Sequence, residues 1–165
     1  MLDRIKEFIK KNKLLTAVIL IIVIGILIII KIKIGPINGK LVCTYKSNTN
    51  TMNNSFTYEM DFKFKNVTKL KTKELISSND QELLKTYKES IEEISKKYKA
   101  LKYYDVKINQ KDKELIVNTI IYYDKIDMKD YLSIEGEKTY IKNNKVKIKE
   151  LKKIYEKNGA ICTYK

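Results

Sequence analysis

The chain has 165 residues, with 34 Lys or Arg against 20 Asp or Glu, and a net charge of +14. That length leaves room for one ordinary domain and a short additional segment. His is absent, which removes the usual general base, the Ser-His-Asp and Cys-His constellations, and the commonest metal ligand. Two cysteines cannot close a structural zinc site, and five glycines form no phosphate-cradling loop. No catalytic residue, cofactor or metal is expected.

The N-terminal residues 1–13 form a basic flank with Arg4, Lys6, Lys10, Lys11 and Lys13. Leu14 to Ile30 reads LLTAVILIIVIGILIII, interrupted only by Thr16 and Gly25. Such a run spans roughly 25 Å as a helix, the short end of a bilayer core. Ile32 and Ile34 can lengthen it, because Lys31 and Lys33 can reach back to the headgroups. The expectation is a transmembrane signal anchor over residues 14–34, in contact with the lipid bilayer. A cleaved signal peptide would have a shorter apolar core and a small-x-small site. The stretch Lys31 to Pro36 has no such site. Five basic residues precede the span, and three (Lys31, Lys33 and Lys40) follow within a comparable distance. That bias puts the N-terminus in the cytoplasm and the C-terminal domain outside, as a single-pass protein of the cell membrane. Ile5, Phe8 and Ile9 recur at helical spacing, so the flank can rest on the inner membrane surface.

Residues 35–39, GPING, break the helix and serve as a linker to a domain over residues 40–165. Lys40 to Ser47 reads as a short strand with Leu41, Cys43 and Tyr45 on one face, and 47–55 as a polar loop. The clearest strand is 56–65, where Phe56, Tyr58, Met60, Phe62 and Phe64 alternate with polar residues. A row of aromatics can be a ligand-stacking platform, but alternation of this kind is chiefly the mark of a core face. A second strand follows near 67–75, with Lys69, Lys71 and Lys73 on its polar side. Ser78 with Gln81 has the capping-box spacing, and Leu83, Leu84, Tyr87, Ile91, Ile94, Tyr98 and Leu101 repeat as one helical stripe. Glu92–Lys96 and Glu93–Lys97 are pairs at helical spacing on its wet side. Tyr104 to Ile108 and Leu115 to Tyr123 read as a hairpin around Asn109–Lys113, the second strand apolar on both faces and hence central. A short helix within 126–142, a helix from Val146 to Lys157 stopped by Asn158-Gly159, and a last strand to Lys165 complete the chain. The order predicts an α+β fold: a mostly antiparallel sheet with helices packed on one face.

Cys43 and Cys162 lie on the first and last strands. A disulfide between them would close a loop of about 120 residues, worth nearly 5 kcal/mol in the chain-entropy model. An outside location permits it, while two buried free thiols are the alternative. Glu59 with Asp61, and Glu135 with Glu137, are carboxylates that can share a strand face. Solvated faces with Lys neighbours account for them more simply.

The alternating strand ends in Val67-Thr68-Lys69, and a helix over 80–101 ends Lys97-Tyr98-Lys99. Ile121-Tyr122-Tyr123-Asp124 and Lys125-Ile126-Asp127 follow, then a terminal helix from Leu151 to Lys157, Asn158-Gly159 and a short strand. With these marks the chain from residue 55 onward resembles the YehR-like family of small bacterial surface lipoproteins, whose function is not established. The resemblance implies an exported α+β domain held at the outer face, and brings no catalytic residues. Here a spanning helix stands where the lipid-bearing Cys would be.

Residues 1–30 hold five basic and two acidic residues, and the remainder 29 and 18, so the segment after residue 30 carries +11 and most of the basic character belongs to the domain. A non-catalytic binding or structural module is expected, meeting an anionic wall polymer, lipid headgroups or another membrane protein. A Lys- and Asn-rich composition of genomic origin would give the same charge. Nucleic acid is a weaker alternative: twelve Tyr and many Lys suit stacking, but no nucleic-acid motif is present. An enzyme working through carboxylates alone is the other.

Overall fold

The computed structural model describes Ile21 and residues 36–165. The basic flank and, apart from Ile21, the segment expected to cross the membrane lie outside the described residues. Among the described residues no helix is long and apolar enough to cross a membrane. Residues Ile37–Lys165 form one unit.

Six strands make an antiparallel sheet in the order β4-β5-β3-β2-β1-β8. They are β1 (Gly39–Asn48), β2 (Met52–Lys63), β3 (Asn66–Ser78), β4 (Tyr104–Lys111), β5 (Glu114–Tyr122) and β8 (Ile161–Tyr164). The helices are α1 (Gln81–Tyr98), α2 (Met128–Glu135) and α3 (Ile148–Lys157), and a small hairpin, β6 (Ile141–Lys142) with β7 (Lys145–Val146), precedes α3. The domain is thus a small α+β fold with an antiparallel sheet and three helices.

Register decides the core. Leu41 lies opposite Met60, Met60 opposite Leu70, Leu70 opposite Ile121 and Ile121 opposite Tyr104. These share one face, because side chains alternate along each strand. Ile148 and Leu151 of α3, with Met128 and Tyr131 of α2, join this row in one buried cluster. Further along the same face, Leu84 of α1 packs with Ile76, Leu115 and Val117 in a second cluster. All three helices therefore cover the same side of the sheet.

Several local expectations are corrected. The polar stretch before Phe56 is strand from Met52, because Asn53 to Ser55 are held in ladders on both sides. Strand β2 stops at Lys63, and Phe64 and Lys65 form the turn with φ of 48° and 63°. Phe64 consequently leaves the core row and is 76% exposed. The N-cap of α1 is Asp80, whose carboxylate accepts from the N–H groups of Glu82 and Leu83, both at 3.0 Å. Ser78 is buried instead and donates to the Thr51 carbonyl at 2.7 Å. Ile94 drops out of the stripe at 54% exposure. The ion pair on this helix is Lys88–Glu92 at 3.8 Å, one turn before the expected Glu92–Lys96.

Candidate functional site

The side of the sheet opposite the helices is open. Its rows are Lys40–Asp61–Lys69–Tyr122, Val42–Glu59–Lys71–Ile120–Asp105 and Thr44–Thr57–Lys73–Asn118–Lys107. Three lysines two residues apart on β3 stand roughly 7 Å from one another along the strand. Glu59 and Asp61 do share a face, but both turn to Lys40, at 3.5 and 3.9 Å. Lys69 lies over the Tyr122 ring at 4.6 Å, and Lys125 approaches the same ring at 5.3 Å. Lys71 and Lys73 are exposed and form no ion pair among the described residues. Val42, Leu75, Ile116 and Ile120 lie between these charges, half-buried. The face combines unneutralised ammonium groups with aliphatic surface, which suits an anionic partner with some apolar area.

On the helix side, a seam runs between the two core clusters. Thr72 and Thr119 pair across it, and Glu74 stands between Phe56 and Val117. Tyr87 of α1 donates to the Glu74 carboxylate at 3.4 Å. Tyr45, Phe56 and Tyr58 follow each other at centroid distances of 5.9 and 6.1 Å, and Tyr58 stacks on Tyr155 of α3 at 4.2 Å. Loss of solvation raises the Glu74 pKa, and the Tyr87 hydrogen bond offsets part of the rise. A carboxyl whose folded pKa lies above its unfolded value contributes full stability below the unfolded pKa. That contribution is lost as pH rises through the folded one. We expect Glu74→Gln to raise the thermal midpoint at pH 7 and to change it little near pH 4, where the native side chain is itself neutral. Melts at the two pH values check this, and an equal shift at both would refute it.

A third feature is a hollow of about 470 Å³ between α1 and β4, lined by Glu92, Ser95, Lys96, Tyr98, Tyr104 and Asp105. Tyr98 and Tyr104 stack at 4.5 Å, and Tyr98 donates to the Glu135 carboxylate, which also meets Lys138 at 2.9 Å. Burial, then the Glu135 charge, pushes the Tyr104 hydroxyl up to about 12. Glu135 closes α2, whereas Glu137 is exposed beyond Gly136, so these two do not share a strand face. Glu135 is committed to Tyr98 and Lys138, and so is not a free acid or base. Sequence patterning missed Glu74 and Tyr98 alike, because one sits in a charged run and the other in an apolar stripe.

Cys43 and Cys162 are directly opposite in the β1–β8 ladder and are joined, with sulfurs 2.01 Å apart. Arg4, Lys10, Lys11, Lys13, Lys31 and Lys33, the expected anchor flanks, lie outside the described residues.

No protein-family model matches the sequence. No curated protein matches it either. Among solved structures, the NMR structure of the E. coli YehR protein aligns with a TM-score of 0.54 at 17% identity, covering 76% of this chain and 92% of that one. An NMR structure of a protein from Streptococcus pneumoniae TIGR4 gives a TM-score of 0.48 at 18% identity, over 79% of this chain and 88% of that one. Identities this low speak for fold alone. The domain has a YehR-like α+β fold.

Proposed function

We propose that the chain is a single-pass membrane protein whose basic domain stands outside the cell as a non-catalytic binding module for an anionic partner. The observation that carries this reading is the helix-free face of the sheet, with Lys71 and Lys73 exposed and unpaired among the described residues. The +11 charge of the segment after residue 30 agrees with it. The anchor over 14–34 and the five-to-three bias of flanking basic residues supply tether and orientation. The YehR-like fold is in keeping with an exported domain of the surface-lipoprotein kind, here with a spanning helix as anchor. Among anionic partners, a wall polymer fits best, because an open face of a six-stranded sheet with lysines spaced along β3 matches an extended chain of repeating charges.

The test is binding of the full chain, held in neutral-lipid nanodiscs, to a polyglycerol-phosphate polymer across a salt series. Saturable binding that weakens at least about ten-fold between low and high salt is expected, because exposed charges are screened beyond a Debye length. Lys71→Gln with Lys73→Gln should weaken binding at low salt and flatten that dependence. Binding indifferent to salt and to both substitutions would sink the electrostatic reading.

A further inference from the structure

The large apolar side chains exposed on the domain are not scattered. They are Ile37, Phe64, Ile94, Tyr103, Ile161 and Tyr164, at 53, 76, 54, 50, 76 and 36% exposure. Four of the six lie at one end of the sheet. Phe64 is in the β2–β3 turn, and its N–H donates to the Asn38 side chain at 2.8 Å. Lys65 donates to the Ile37 carbonyl at 2.9 Å, which fixes Ile37 beside the same turn. Tyr103 accepts from the Tyr122 N–H at 3.0 Å, where β4 and β5 begin and end. Tyr164 pairs with Leu41 near the start of β1. Strand order spreads Tyr103, Phe64 and Tyr164 from one edge of the sheet to the other, roughly 20–25 Å at the usual strand spacing. Between them stand Lys63, Lys65, Lys102, Lys125 and Lys165, all exposed. Asp124 and Asp130 are exposed acids at this end, Asp130 in the hollow it shares with Lys102, Tyr103 and Lys125, and Asp127 is held as the N-cap of α2.

A row of aromatic and aliphatic tips interleaved with lysines is the composition of a bilayer interface, where rings sit at headgroup depth and ammonium groups meet lipid phosphates. The chain enters the domain at this very end, since β1 begins at Gly39. The opposite end, with its loops at Thr49–Thr51 and Asp112, presents none of these exposed apolar side chains.

We propose that this basal rim seats the domain on an anionic bilayer surface, with Phe64 and Tyr103 in the headgroup layer and the lysines over lipid phosphates. The inference rests on the anchored reading above. The strands then stand along the membrane normal, and the lysine face of the sheet is turned sideways, free for a polymer. The far loops are lifted by the length of β3, whose 13 residues extend roughly 40 Å.

The full chain in phosphatidylglycerol nanodiscs, with a gadolinium-chelating lipid in the headgroup layer, tests this by relaxation of backbone amides. Amides of Phe64, Lys65 and Tyr103 should relax at least about five-fold faster than those of Thr51 and Asp112, as the steep fall of the effect with distance requires over the strand length. Phe64→Asn with Tyr103→Ser should erase most of that contrast. Asn suits the positive φ at position 64, so the turn is kept. Neutral phosphatidylcholine discs should reduce the contrast as well. Uniform relaxation in a chain that co-elutes with the discs overturns the seating alone. A chain that does not enter the discs overturns the anchored reading and the seating with it.

Discussion

Replacing both Cys43 and Cys162 with alanine should lower the stability of the domain by about 4–5 kcal/mol, the largest single loss expected. The physical reason lies mainly in the unfolded chain. A cross-link between residues 119 apart removes loop-closure entropy that grows with the logarithm of loop length, about 4.7 kcal/mol for a loop of 100 residues. The folded state already holds the two residues opposite one another, in the β1–β8 ladder. At this domain size, 1 kcal/mol is worth roughly 3–5 °C, so the midpoint should fall by about 15 °C. Melts of the wild-type chain with and without reductant give the comparison, and the reduced wild type should coincide with the variant. A difference below about 1 kcal/mol between oxidised and reduced protein would mean that the bridge contributes little. The same pair tests the proposed topology: if the domain stands outside, a membrane-impermeant maleimide should label intact cells only after reduction under mildly denaturing conditions, because Cys43 is buried.

Phe62→Ala should cost about 3–5 kcal/mol, and Phe56→Ala clearly less, although both belong to one alternating row. Phe62 is 2% exposed, lies in the cluster with Leu41 and Met60, and meets Tyr164 edge to face at 5.8 Å. The ring also sits 3.4 Å from the position a Cβ would take on Gly39, so backbone and ring are in close contact there. Truncation leaves a cavity that these neighbours cannot collapse to fill. Phe56 is half-buried in the seam between the two clusters, where solvent can take the space of a missing ring. Urea titrations of the two variants decide the matter. Equal losses would mean that burial is not what separates core from seam in this row.

Much of this architecture is legible from two-residue and helical periods alone. The β2 row, the β4–β5 hairpin, the stripe of α1 and the stop at Gly159 all follow from them, because each is a local demand of a buried face. The misread places have no such local signal. A two-residue hairpin turn is usually announced by Asn-Gly, but here Phe64-Lys65 takes the left-handed region, held by the hydrogen bonds its N–H groups donate to the Asn38 side chain and the Ile37 carbonyl. Within Ser77-Ser78-Asn79-Asp80 every residue is a good cap, and burial of Ser78 decides for Asp80. Lys69, Lys71 and Lys73 are readable as one face of a strand, yet their exposure depends on which side the helices choose. Glu74 falls on the other side because successive side chains alternate along β3. The basal rim gathers side chains from positions 37, 64, 103 and 164, which only strand order brings together.

The pairing of β1 with β8 has a mechanical consequence. Both Gly39 and Lys165 lie at the same end of the sheet, with Lys40 and Lys165 exchanging backbone hydrogen bonds at 3.3 and 2.8 Å. A pull on Lys165 against a fixed N-terminal tether would unzip this ladder, breaking its bonds one rung at a time. Only the rungs at Lys40, Leu41 and Val42 stand before the Cys43–Cys162 bond. Tension then passes from one cysteine to the other and on to the tether, and the 119-residue separation between them carries no load. The oxidised domain should thus yield a few residues of slack under force and then stop, whereas the reduced one should extend along its whole length.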